Sequence, residues 1–257
     1  MNHIRIEKDE AIAGLVTVTL DRAPVNALAL DMSRDLAAAF RDLHDDPALR
    51  VVILTGAGAR LFCAGADVKE ISERTTQVSI ERSAVFRTTF DAIRRAPVPV
   101  ICALNGTAVG AGLVIASCCD IILAADHAEV SLPEILVGVM GGTRHTSRIM
   151  PDKLMRWLAF TGERLPVAEL KALGQVREVM PLTQLMPRAR DVAAQIARHS
   201  PSAVRLMKEA INLTEDMPVT EGYRIEQLFT TLASSLPDAK EAALAFLEKR
   251  AARYGDD

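Results

Sequence analysis

Residues 105–134, NGTAVGAGLVIASCCDIILAADHAEVSLPE, hold the pattern from which the rest of the chain can be read. The buried run PVPVICAL leads into Asn105-Gly106, and Gly110-Ala111-Gly112 then opens an apolar segment, which reads as strand, glycine-rich turn and helix N-terminus. The first N–H groups of a helix have no intrahelical acceptor, and the aligned peptide dipoles leave partial positive charge there. Such a bend stabilises an oxygen that gains negative charge. Glu134 follows directly after Pro133, so a carboxylate returns beside the same place. Oxyanion stabilisation combined with a general base suits chemistry that passes through an enolate.

Outward from this stretch, strand and helix signals alternate. Ile4 to Glu7 and Leu15 to Leu20 read as two paired strands around the turn-prone Asp9 to Gly14, because LVTVTL is rich in β-branched residues. Leu30 to Leu43 carries apolar residues at helical spacing, with Asp31 as the expected N-cap. Val51 to Leu54 is a buried strand ending at Gly56-Ala57-Gly58, and Phe62-Cys63-Ala64-Gly65-Ala66-Asp67 forms a second small-residue turn before a further helix. Ile80 to Arg95 is amphipathic, and Val98 to Leu104 is the strand feeding the central stretch. Beyond it, Ile121 to Leu132 is strand-rich, Gly138 to Gly142 is a loop, and the chain becomes helical from Arg144. Pro166 to Leu173 reads as a short helix stopped by Gly174, and Val176 to Met180 as a strand. Leu182 to Arg253 is mostly helix, interrupted at Pro201, Pro218 and Pro237. The expected organisation is a strand-rich core over residues 1–181 and a helical region over 182–257 that packs on the core or on a neighbouring subunit.

Composition narrows the function classes. A chain of 257 residues buries roughly 70 to 75% of its unfolded surface. With 49% hydrophobic residues but only 4% aromatic, the core is aliphatic, as in a soluble α/β protein. A formal net charge of -3 with interspersed signs argues against nucleic acid as a partner. No apolar stretch is long enough for a membrane span. Cys63, Cys102, Cys118 and Cys119 lie in or beside apolar runs without zinc-type spacing, so buried thiols in a reducing cytoplasm are expected. His3, His44, His127 and His199 form no local metal motif.

Several ordered segments together resemble the enoyl-CoA hydratase/isomerase, or crotonase, superfamily: DRAPVNAL at 21–28, LFCAGADVKEI at 61–71, PVPVICALNGTAVGAG at 97–112, CDIILAA at 119–125, LPEILVG at 132–138, FTGERLPVAELKALGQV at 160–176 and AFLEKRAARY at 245–254. The resemblance implies an α/β fold, a spiral of ββα units with a C-terminal helical region, assembled as a homotrimer or dimer of trimers. It implies an acyl-CoA substrate and no separate cofactor or metal, CoA being part of the substrate. It places the two thioester-binding N–H groups at Ala66 and Ala111, and the CoA moiety along Ala64 to Lys69, including Asp67. Arg22, and Lys249 from the same or a neighbouring subunit, are then candidates for its phosphates; each reads equally well as a solvated surface residue.

The same resemblance isolates one chemical departure. Hydratases of the family commonly use two glutamates; here alignment of GAGLVIASCCD by its glycines puts Val114 at the first position and leaves Glu134 at the second. Valine can neither orient water nor carry a proton, and a drier pocket raises the pKa of the remaining carboxyl. Isomerisation, hydration, thioester hydrolysis, decarboxylation and simple acyl-CoA binding all remain open at this level. His145 is either a second polar group in the pocket or a structural residue, and Arg144 either recognises an acyl-chain carboxylate or faces solvent.

Overall fold

The computed structural model describes residues 3–67, 70 and 75–254. Its centre is a six-stranded sheet in the order β1 (Ile4–Lys8), β2 (Leu15–Leu20), β3 (Val51–Gly56), β5 (Val100–Leu104), β7 (Ile121–Ala125) and β10 (Glu178–Met180). Only the β1–β2 pair is antiparallel; every other neighbour is parallel. Parallel strands are covered on both faces, which is why VVIL, VICAL and IILAA read as continuous apolar runs instead of alternating ones. Leu15–Leu20 and Val51–Leu54 therefore take the strand conformation that their β-branched content predicts.

A second sheet of three-residue strands runs beside the first, in the order β4 (Leu61–Cys63), β6 (Thr107–Val109), β8 (Glu129–Ser131) and β9 (Arg164–Pro166). The chain sends β3, β5 and β7 to the large sheet and their successors β4, β6 and β8 to the small one. Each turn of the resulting spiral delivers one bend between sheets at the same level. This is the spiral of ββα units that the sequence leads one to expect.

Two cores flank the large sheet. On one side, Val16, Val18, Val52, Leu54, Val100 and Cys102 pack with Leu36, Phe40 and Leu43 of helix α1 (Leu30–His44). Helix α2 (Thr76–Arg94), capped by Thr75 Oγ1 accepting the Val78 N–H, lies against α1. On the other side, Leu15, Val51, Ile53, Ile101 and Leu123 pack against Leu185, Ala189 and Ala193 of helix α7 (Leu182–Ala197). Helices α8 (Pro201–Thr214), α9 (Val219–Ser235) and α10 (Pro237–Glu248) complete the C-terminal helical region, with boundaries at the three prolines. Among the described residues no helix is long and apolar enough to cross a membrane.

The predicted cap of α1 is corrected by the structure. The helix begins at Leu30 after Ala29, and Asp31 lies inside its first turn. Glu70 Oε1 accepts the Leu30 N–H at 3.1 Å, so a carboxylate remote in sequence does part of the work of a capping side chain. All four cysteines are free and buried. Burial pushes the Cys63 and Cys118 thiols up to about 12.

Candidate active site

Two bends meet beneath the small sheet. The first follows β4, where Gly65 adopts φ +85° and presents a bare α-carbon to the second. A methyl at Gly65 would fall 2.7 Å from Val109 O and 3.6 Å from Ala111 N, so only glycine allows this approach. Leu28 N–H donates to Gly65 O at 2.7 Å within a parallel bridge that pairs Leu28 with Ala66. In that register the main-chain groups of Leu28 reach the residues flanking Ala66, and those of Ala66 itself point away from Leu28. Asp67, next along, pairs with Arg22 at 3.0 Å, and Arg22 also donates to Ala27 O at 3.3 Å.

The second bend follows β6. Gly110 has φ +49° and ψ −114°, and its N–H is taken by Ser131 O at 2.9 Å. Helix α3 (Ala111–Ser117) begins immediately after, and its first turn closes when Val114 N–H donates to Gly110 O at 3.0 Å. Ala111 opens the helix, so its N–H has no intrahelical acceptor and points out of the helix start. The spiral thus puts the N–H-bearing starts of two successive turns side by side.

Glu134 enters from the short 3-10 helix Pro133–Val137 after β8. Its carboxylate rests on the bare α-carbon of Gly110: a methyl there would sit 2.3 Å from Oε1 and 3.1 Å from Cδ. It is therefore one residue away from the Ala111 amide. Oε2 is buried and has no hydrogen-bond partner among the described residues. Burial raises the Glu134 pKa above the ordinary carboxylate value, opposed only by its own main-chain N–H. A carboxyl in this condition is suited to taking a proton and giving it back.

Val114, at the other expected carboxylate position, is buried in the core. A methyl at Gly142 would meet Val114 Cγ2 at 2.8 Å and Leu132 Cδ2 at 3.4 Å, so the loop folds down onto the valine. An apolar contact thus occupies the position to which the resemblance assigns a second carboxylate.

The remaining candidates are dispersed. Arg144, exposed in helix α4 (Thr143–Thr146), pairs with Asp216 at 2.9 Å. His145 is half-buried; its Nδ1 lies 3.6 Å from Cys118 Sγ and its ring meets Phe90 edge-on at 5.5 Å. Burial and the nearby Arg148 hold its pKa down. These contacts tie His145 to the C-terminal end of α3, away from the Gly110 end that Glu134 touches. Lys249 is exposed at the left-handed cap of α10. Ala64 is held by its N–H to Val25 O at 3.1 Å, and Lys69 lies outside the described residues. Among the described residues no cluster of three or more His, Cys, Asp or Glu could hold a metal. Reading the sequence missed that Gly110 is the platform for Glu134; its signal was the invitation of a glycine immediately before a helix start.

The spiral of ββα turns with two converging bends defines a crotonase-type protein. The family model for enoyl-CoA hydratase/isomerase matches residues 10–257. The chain is 35% identical over 245 residues to carnitinyl-CoA dehydratase of Escherichia coli, covering 92% of this chain and 93% of that protein. It superposes on enoyl-CoA hydratase from Bacillus anthracis with a TM-score of 0.93 at 33% identity, covering 99% and 100% of the two chains. Enoyl-CoA hydratase from Mycobacterium smegmatis gives a TM-score of 0.93 at 29% identity over 98% of each chain. The chain belongs to the enoyl-CoA hydratase/isomerase family, a family of lyases and isomerases.

Proposed function

We propose that this enzyme relocates a proton along an unsaturated acyl-CoA thioester, with Glu134 as the single acid and base. The thioester oxygen accepts the main-chain N–H groups of Ala66 and Ala111. Glu134 removes a proton from a carbon of the acyl chain, the electron pair moves to give the enolate, and the two N–H groups hold the negative oxygen. Return of the same proton to another carbon moves the double bond and regenerates the carboxylate. The CoA moiety runs along Ala64 to Asp67 and Lys69, with Arg22 and Lys249 available to phosphates, and no further cofactor enters the balance.

The observation that carries this reading is the half-buried Glu134, whose carboxylate is seated on Gly110 with Oε2 buried, next to the Ala111 amide. Val114 packed beneath Gly142 favours proton relocation over water addition, because a water there would have one carboxylate to hold it instead of two. The exposed apolar side chains Leu244, Phe246 and Leu247 of α10 suit burial between copies in the trimer or dimer of trimers.

Purified protein offered enoyl-CoAs of differing length and double-bond position gives the test, with products read by mass and by double-bond position. Isomers of unchanged mass are expected, and their formation should cease in Glu134→Gln. Products heavier by one water as the main outcome would replace isomerisation with hydration. Normal folding and full turnover in Glu134→Gln would remove Glu134 from the mechanism.

A further inference from the structure

We propose that Arg82 is a positioning residue for the Ala66 N–H, acting through Glu70 and Leu28; this rests on the reading that Ala66 polarises the thioester. Arg82 projects from the middle of α2 and is 4% exposed. Its guanidinium forms an ion pair with the Glu70 carboxylate and brings Nη2 to 3.5 Å from Leu28 O. Glu70 in turn accepts the Leu30 N–H at 3.1 Å. Leu28 is the residue bridged to Ala66, and its N–H is bonded to Gly65 O. One buried side chain therefore bears directly on Leu28, the residue bridged to Ala66, and through Glu70 on the Leu30 N–H at the start of α1.

The same face of α2 continues to the other donor. Arg82 stacks over Phe86 at 4.5 Å, Phe86 meets Phe90 edge-on at 5.7 Å, and Phe90 meets His145. His145 contacts Cys118, the C-terminal cap of the helix that Ala111 begins. Residues 82, 86 and 90 recur every four positions, so one helical ridge spans from the Ala66 segment to α3.

Stability alone does not account for the charge. A buried ion pair is often no more stabilising than an apolar side chain of the same volume, because desolvation offsets the attraction. What a guanidinium adds is a planar fork that fixes where its acceptors lie. Here those acceptors are the main-chain oxygen of Leu28, the residue bridged to the proposed donor Ala66, and the Glu70 carboxylate. Catalysis is sensitive to a misplacement of about 1 Å in such a group.

The experiment uses butanoyl-CoA labelled with carbon-13 at the thioester carbonyl, which can neither isomerise nor add water, and reads its carbonyl stretch on the full-length enzyme by infrared difference spectroscopy. The wild type should lower the stretching frequency on binding; no change would overturn the oxyanion reading itself. Arg82→Met should lose most of that shift and lower kcat on the best enoyl-CoA by roughly 10-fold or more, with the dissociation constant of butanoyl-CoA within about twofold of wild type. Arg82→Lys, which keeps the charge without the fork, should fall between the two. Should Arg82→Met not fold, Glu70→Gln, which retains an acceptor for Leu30, takes its place with the same expected loss of shift. A wild-type carbonyl shift in every folded variant, whatever happens to melting temperature, would overturn the positioning role and leave the oxyanion reading standing.

Discussion

Gly110→Ala isolates the contact on which the proposed chemistry depends. The added methyl would lie 2.3 Å from Glu134 Oε1, whereas carbon–oxygen contacts settle at about 3.3 Å or more, so the carboxylate must retreat by roughly 1 Å. The atom displaced is the far end of a flexible side chain, so the clash itself costs little stability. Its cost appears in the reaction: a misplacement of that size lowers turnover by about 100-fold, equivalent to ~2.7 kcal/mol of barrier. A separate penalty comes from the backbone, since φ +49° is strained for alanine by about 1 to 3 kcal/mol. For a chain of this length that lowers Tm by roughly 2 to 6 °C. The bond from residue 110 N–H to Ser131 O survives the change, so the bend itself persists. Steady-state turnover on the best enoyl-CoA, a dissociation constant from calorimetry and a melting curve separate the effects. Turnover within threefold of wild type, in a folded variant that binds substrate normally, would show that the carboxylate does not work from its perch on residue 110.

Glu134→Gln should abolish turnover by roughly 100-fold or more while making the protein more stable at neutral pH. The sign follows from the raised pKa: protonated Glu134 carries no burial penalty below its unfolded pKa, and folded stability is lost as pH rises through the folded value. The stability advantage of the glutamine variant should therefore vanish near pH 4 and grow above it, as denaturant titrations at several pH values would show. For the same reason the acid limb of kcat/KM should fall above the ordinary carboxylate value of 4.5 and disappear in the variant. Lys208→Met removes a buried ammonium that donates to the solvent-facing Asp120 Oδ2 at 2.7 Å and to Val98 O at 2.9 Å, and should cost about 1 to 2 kcal/mol by urea unfolding. No loss would mean that Asp120, still bonded to Val100 N–H at 2.6 Å, is satisfied without it.

Long apolar runs made the large sheet legible, because β2, β3, β5 and β7 are buried on both faces and spell this out in Val, Ile, Leu and Ala. The strands β4, β6 and β9 were not distinguishable from turns, since three residues carry no measurable period, and β8 was covered only by the broad strand-rich reading of Ile121 to Leu132. Asp31 failed as a cap because the actual acceptor for Leu30 is Glu70, a tertiary contact that local rules cannot foresee. Glu134, Ala66 and Ala111 were named from their segments, yet their common level follows from the spiral, in which β4 and β6 pair in parallel. Arg144 could be read from the sequence either as an acyl-chain contact or as a solvent-facing residue, and its partner Asp216, in the connection between α8 and α9, is remote in sequence.

The large sheet is complete in sequence at Met180, but its second face is covered only when Leu182–Ala197 arrives. During synthesis a nascent chain halted before that helix clears the ribosome would display Leu15, Val51, Ile53, Ile101 and Leu123 as one bare greasy wall. The helix that follows Met180 is thus a condition for the strands before it to hide that wall from water.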